Sequence, residues 1–158
     1  SNYSGEFEVG RKSVEVKRQD IIIEAKKWVG TKWQHQASLP QVACDCVGLV
    51  RGVYRGLTGI DVDIAIDYPA TWHLFKKEER LYEEAKRHMV EIRKDKARPG
   101  DVLVFGFYDH PASHVAILTS PDAFIHSYQD IGQVIETRLD DAWRKRLRFA
   151  FSYPGVLD

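Results

Sequence analysis

The spacing of hydrophobic positions changes character partway along the chain. Over residues 20–30, Ile21, Ile22, Ala25 and Trp28 recur at helical steps, with Asp20 as the expected cap and Gly30 as the stop. A polar, turn-rich passage follows through Gln41. Val50, Val53, Tyr54 and Leu57 then recur at three- and four-residue steps, which predicts a helix over 46–56 with Asp45 at its N-cap and Leu57-Thr58-Gly59 as its exit. Residues 60–72 scatter Asp61, Asp63, Asp67 and Pro69 among apolar positions and read as a surface connection. An amphipathic helix is expected over 74–89, with Leu74, Phe75, Leu81, Tyr82, Ala85 and Met89 on its apolar face. A basic loop ends in the turn Pro99-Gly100-Asp101. Beyond it the runs are short and β-like, at 102–107, 113–119, 123–128, 132–139 and 147–153, with a short helix over 140–146. Helices first and strands afterwards, joined by short turns, imply an α+β domain with an antiparallel sheet over 20–158. Residues 1–19 carry little periodicity and read as a loose arm or tag remnant, with a short extended piece around 14–16.

Composition narrows the function classes. Lys+Arg and Asp+Glu balance at 23 each, so no bulk charge favours nucleic acid or an anionic membrane. No apolar run reaches the length of a membrane span. Met89 is the single methionine, so a signal peptide could have been removed before Ser1, and the sequence leaves the compartment open. Cys44 and Cys46, one residue apart, would close a strained ring as a disulfide. As metal ligands they lack the second pair that a closed zinc site needs, so no metal or other cofactor is expected.

The chemistry gathers instead around Cys46. Its predicted place on the first turn of a helix exposes it to free backbone N–H groups and the positive end of the helix dipole, both of which favour a thiolate. The alternative is a small buried hydrophobe, the commonest fate of a free cysteine. A nucleophilic thiol needs a base and a group that orients the base. Of the six histidines, His73, His88 and His110 sit in no patterned site. His114 and His126 each fall inside a short apolar strand, where an unpaired polar ring is costly. The turn Ser120-Pro121-Asp122 joins their strands, and pairing about Pro121 puts the two rings opposite or diagonal on one face; a one-residue slip would separate them. His114, at the start of its strand, is the candidate base, and His126 the candidate orienting residue. The backbone N–H of Cys46, helped by His35 or Trp33, would form the oxyanion site, with Asp45 and Ser113 beside the reacting groups. That set suits acyl transfer from an amide through an acyl-enzyme.

Five segments in order, Trp28-Val29-Gly30-Thr31-Lys32-Trp33, Asp45-Cys46-Val47-Gly48-Leu49-Val50, Arg98-Pro99-Gly100-Asp101, Ser113-His114-Val115-Ala116-Ile117 and Phe124-Ile125-His126, resemble the NlpC/P60 cell-wall peptidases. The resemblance spans about residues 21–153. It implies a papain-like α+β fold and cleavage of peptidoglycan stem peptides, typically between D-γ-glutamyl and a diamino acid. By position Cys46 matches the family nucleophile, His114 the base and His126 the third polar residue. Trp33 stands where the family usually has tyrosine, and Val47 where it usually has serine; Cys44 matches no family role. The His35-Gln36-Ala37-Ser38 loop and the run from Cys44 to Val53 look most like the branch carried by phage tails and gene transfer agents, which implies tail hub or tip proteins as partners. Two other readings stay open: a thiol acyltransferase or amidase on another acyl substrate, and a non-catalytic tail module that keeps the fold without turnover.

Overall fold

The computed structural model describes residues 14–62 and 78–158. Residues 1–13 of the expected arm, most of the acidic connection, His73, and the first part of the expected third helix lie outside the described residues.

The first described elements are strand β1 (Val16–Lys17) and helix α1 (Arg18–Lys26). The helix starts earlier than its sequence suggests. Its N-cap is Lys17, without a side-chain cap, and Asp20 sits inside the first turn. There the carboxylate meets the positive end of the helix dipole, which suits it as well as capping would. Strands β2 (Lys32–Trp33), β3 (Ser38–Leu39) and β4 (Ala43–Cys44) follow, and then α2 (Cys46–Thr58). Asp45 caps α2 as expected, accepting from Gly48 N at 2.8 Å. The helix runs past Gly56 and stops at Gly59, whose φ of 76° is the left-handed C-cap conformation that glycine adopts without a Cβ penalty. Helix α3 (Arg80–His88) is shorter than the apolar pattern suggests, because residues 78 and 79 lie outside it.

Strands β5 (Val90–Ile92), β6 (Val102–Phe105), β7 (His114–Ser120), β8 (Ala123–Tyr128) and β9 (Gln133–Arg138) lead to helix α4 (Asp141–Arg146), β10 (Leu147–Ser152) and β11 (Val156–Leu157). The main sheet has the order β3-β4-β2-β9-β8-β7-β6-β10-β5. Its pairings are antiparallel except β2 with β4. A separate parallel pair joins β1 to β11. The expected α+β class with an antiparallel-dominated sheet is therefore what the chain forms.

Alternation along the strands builds a core on each face of the sheet. Val102, Val104, Val115, Ile117, Ile125 and Phe151 pack with Ile21, Leu49 and Val53 of the helices and with Trp28 in the turn after α1. Leu103, Phe105, Ala116, Leu118 and Phe124 instead pack with Trp143 of α4. Helix α2 is tied down where it matters. Tyr153 Oη donates to Val50 O at 2.7 Å, and Tyr153 stacks on Tyr54 at 5.6 Å. No helix among the described residues is long and apolar enough to cross a membrane.

Candidate active site

One cleft gathers Trp33, His35, Asp45, Cys46, Ser113 and His114 with Phe107, Tyr108, Ser127, Tyr128, Gln129, Asp130 and Arg146. Every site residue expected from the sequence lines it except His126, which lies behind His114. Cys46 opens α2, and the backbone N–H groups of Val47 and Val115 reach its sulfur. The Val115 contact puts the thiol against the residue that follows His114. Cys44 is a free thiol buried in β4, two residues before Cys46. Ser127 Oγ donates to its carbonyl at 2.8 Å, fastening the strand that leads into Cys46 to the strand that carries His126.

The approach to Cys46 is held by one carboxylate. Asp45 Oδ1 takes the Gly48 N–H, while Oδ2 accepts from Gln36 N at 2.6 Å and lies 3.8 Å from His35 Nδ1. The Ala37 carbonyl accepts from Asp45 N at 3.1 Å and lies so close to Gly48 that any Cβ there would collide with it. Capping residue, loop and helix thus lock together around the first turn. On the opposite wall, Tyr108 is 91% exposed with φ of 57°, a left-handed conformation uncommon for an aromatic residue. Arg148 holds that turn by donating to the carbonyls of Tyr108 and His110 at 2.7 and 2.9 Å. Arg146 lines the cleft with its guanidinium 5.0 Å from both the Phe107 and Trp143 ring centroids.

The histidine pair sits as the hairpin arithmetic anticipates, in its diagonal form. Ile117 faces Ile125 across β7 and β8, and extending that register by one step sets Ala116 opposite His126, so that His114 lies two residues further along the same face. His114 Nε2 is 2.8 Å from His126 Nδ1, and His126 Nε2 is 2.8 Å from Thr137 Oγ1 on β9. Both rings are surrounded by aromatic surface. Trp143 meets His126 edge-on at 5.4 Å, Tyr128 stacks on it at 5.0 Å, and Phe105 and Trp143 lie 6.2 and 6.1 Å from His114.

These surroundings set the charge state. Burial, then the neighbouring His126, hold His114 well below the ordinary histidine value, and burial lowers His126 to about 4. Cys46 goes the other way. Desolvation first, and the Asp45 carboxylate second, push its thiol up to about 12, outweighing the N–H groups of Val115 and Val47 that lower it. Both shifts favour the uncharged pair, a thiol beside a neutral imidazole. The pull toward thiolate expected from the helix position is outweighed by burial first and by the capping carboxylate second. Among the described residues, no three His, Cys, Asp or Glu side chains cluster as they would to hold a metal.

The sequence matches the NlpC/P60 family over residues 28–151. No curated protein matches the chain. Among solved structures, the NlpC/P60 domain of the peptidoglycan hydrolase SagA is 25% identical, with a TM-score of 0.63 over 87% of this chain and 99% of that one. An NlpC/P60 family protein from Bacillus cereus is 18% identical, with a TM-score of 0.67 over 89% of this chain and 41% of that one. The peptidoglycan hydrolase RipB from Mycobacterium tuberculosis is 15% identical, with a TM-score of 0.61 over 87% and 64%. The chain thus spans nearly all of the SagA domain but less than half of the Bacillus protein. With the family match running from the Trp28 segment to the end of the sheet, and with the shared fold around it, the chain belongs to the NlpC/P60 family.

Proposed function

We propose that this protein is a cysteine peptidase that hydrolyses peptidoglycan stem peptides, with Cys46 as nucleophile, His114 as general base and His126 as the residue that orients His114. The observation that carries this reading is the placement of Cys46 and His114 in one cleft, joined by the Val115 amide on the sulfur and backed by the 2.8 Å bond from His114 to His126. That bond occupies His114 Nε2 and leaves Nδ1 as the nitrogen for the thiol proton. Because thiol and imidazole are both neutral at rest, proton transfer and attack belong to one event. As sulfur bonds to the scissile carbonyl carbon, its proton passes to His114 Nδ1, and the developing oxyanion is met by the backbone N–H of Cys46. The imidazolium then protonates the departing amine. Water attacks the thioester and gives a proton to His114; the carbon–sulfur bond breaks, His114 returns that proton to the sulfur, and the acid leaves with the thiol restored.

The substrate class draws support from the relatives, since SagA and RipB are described as peptidoglycan hydrolases. The finer reading is cleavage between D-γ-glutamyl and the diamino acid. A tail-hub or tip role is carried by the His35-Gln36-Ala37-Ser38 loop and the Cys44-to-Val53 run.

Purified tri- and tetrapeptide stems incubated with wild type and with Cys46→Ala, followed by mass spectrometry, test the proposal. Fragments cut at the γ-glutamyl bond with wild type alone are expected, the variant losing at least about a thousandfold in rate, as nucleophile removal does. Equal cleavage by both proteins rejects Cys46 as nucleophile. Intact stems in both, beside labelling of Cys46 by another acyl donor, reject the substrate.

A further inference from the structure

The contact of His126 with Thr137 is not used by the reaction as written, yet it completes a directional chain. We propose that Thr137 is a positioning residue that selects the tautomer of the histidine pair, so that His114 presents an unprotonated Nδ1 to Cys46. The inference rests on the peptidase reading, because it gives a purpose to the base that reading assigns.

Three polar side chains lie in a diagonal row across β7, β8 and β9. Phe124 pairs with Thr137 and His126 with Ile135, so Thr137 shares the face of His126, two residues along the neighbouring strand. The row crosses a surface formed by Phe105, Phe124 and Trp143, which offer the rings no hydrogen-bond acceptor. Each of the two 2.8 Å contacts needs one proton between its atoms. Both rings are held neutral by burial, and a neutral imidazole has a single N–H.

Only two fillings satisfy both contacts. In the first, His114 Nε2–H donates to His126 Nδ1, and His126 Nε2–H donates to Thr137 Oγ1; His114 Nδ1 is then bare and able to accept the thiol proton. In the second, the Thr137 hydroxyl donates to His126 Nε2, and His126 Nδ1–H donates to His114 Nε2; His114 then carries its proton on Nδ1 and cannot serve as a base. A hydroxyl that can accept is what makes the first filling possible. Without it, the first filling strands a buried N–H donor, whereas the second leaves only an acceptor unused, and stranded donors are the rarer of the two in folded proteins. Valine at this position therefore tips the pair toward the unproductive tautomer without touching Cys46, His114 or substrate.

Long-range 1H–15N correlation on the full chain with 15N-labelled histidine reads the tautomers directly. Wild type should show both His114 and His126 protonated at Nε2. In Thr137→Val the protons should move to Nδ1 on both rings, kcat should fall by about tenfold or more with KM little changed, and Thr137→Ser should restore both readouts. Finding His126 protonated at Nδ1 in wild type overturns the proposal whether or not the valine variant folds. Unchanged tautomers in a folded Thr137→Val overturn it too. Since the spectra need no substrate, a tautomer shift in a protein that cleaves no stem peptide refutes the peptidase reading while leaving the selection of tautomer by Thr137 in place.

Discussion

His126 has no exposed surface, and the price of keeping its ring neutral there is a stability that depends on pH. Its folded value of about 4 lies below the ordinary 6.5. Between those values the unfolded chain binds more protons than the folded one, so folding is favoured more strongly as pH rises through the window. The contribution is complete above about 6.5 and is lost as pH falls toward 4, amounting to about 3 kcal/mol. His114, lowered for the same reason, adds with the same sign. Urea midpoints measured across this range should fall with acidification, and His126→Gln should flatten the dependence; an equally steep variant would assign the effect elsewhere. The pair itself was readable from the sequence, because two histidines in apolar strands at hairpin-matched positions ask for each other. Thr137 and Ser127 were not. Threonine is an ordinary strand former, and its meeting with His126 exists only once the register of β8 and β9 is fixed. Arg146 gave no signal either, since it stands beside Arg144 and Lys145 in a basic turn of α4 and only the fold brings it over Phe107 and Trp143.

The element most dependent on its neighbours is the first turn of α2. Asp45 was legible as its cap from local chemistry alone. What the sequence could not show is that the loop ahead of it presses a carbonyl into the space where residue 48 would carry a side chain. Gly48→Ala should therefore displace Ala37 and lower stability by about 1–3 kcal/mol, with loss of peptidase activity exceeding what the stability change explains. Urea denaturation beside stem-peptide turnover checks this, and a fully stable, active variant would show that the loop yields freely. Strands β2, β3 and β4 escaped the sequence reading because two residues cannot display alternation. Their pairing comes from partners, as when Trp33 aligns with Cys44 and Ser38 with Cys44 from the other side. The five longer strands and α4 were legible, each long enough to show its pattern or bounded by a clear turn.

Across the whole molecule, the start of α1, the turn before β6 and the end of β10 converge on Asp101. This residue is fully buried, and its carboxylate accepts from Arg18 Nη1 at 2.8 Å, from Ser152 Oγ at 2.7 Å and from Arg98 N at 2.8 Å. Arg18 also reaches Asp158, and Val16 pairs with Val156. Asp101→Ala removes the acceptor for all three donors and leaves a mostly buried guanidinium without its closest anion. A loss of about 3 kcal/mol is expected in urea denaturation; a shift within error would mean that water replaces the carboxylate at no cost. The same sheet sets β7 against the start of α2, and that burial raises the Cys46 thiol. Thiolates, not thiols, attack peroxide and disulfides. The burial that raises the Cys46 thiol therefore also shields the proposed nucleophile from oxidation until substrate draws its proton to His114.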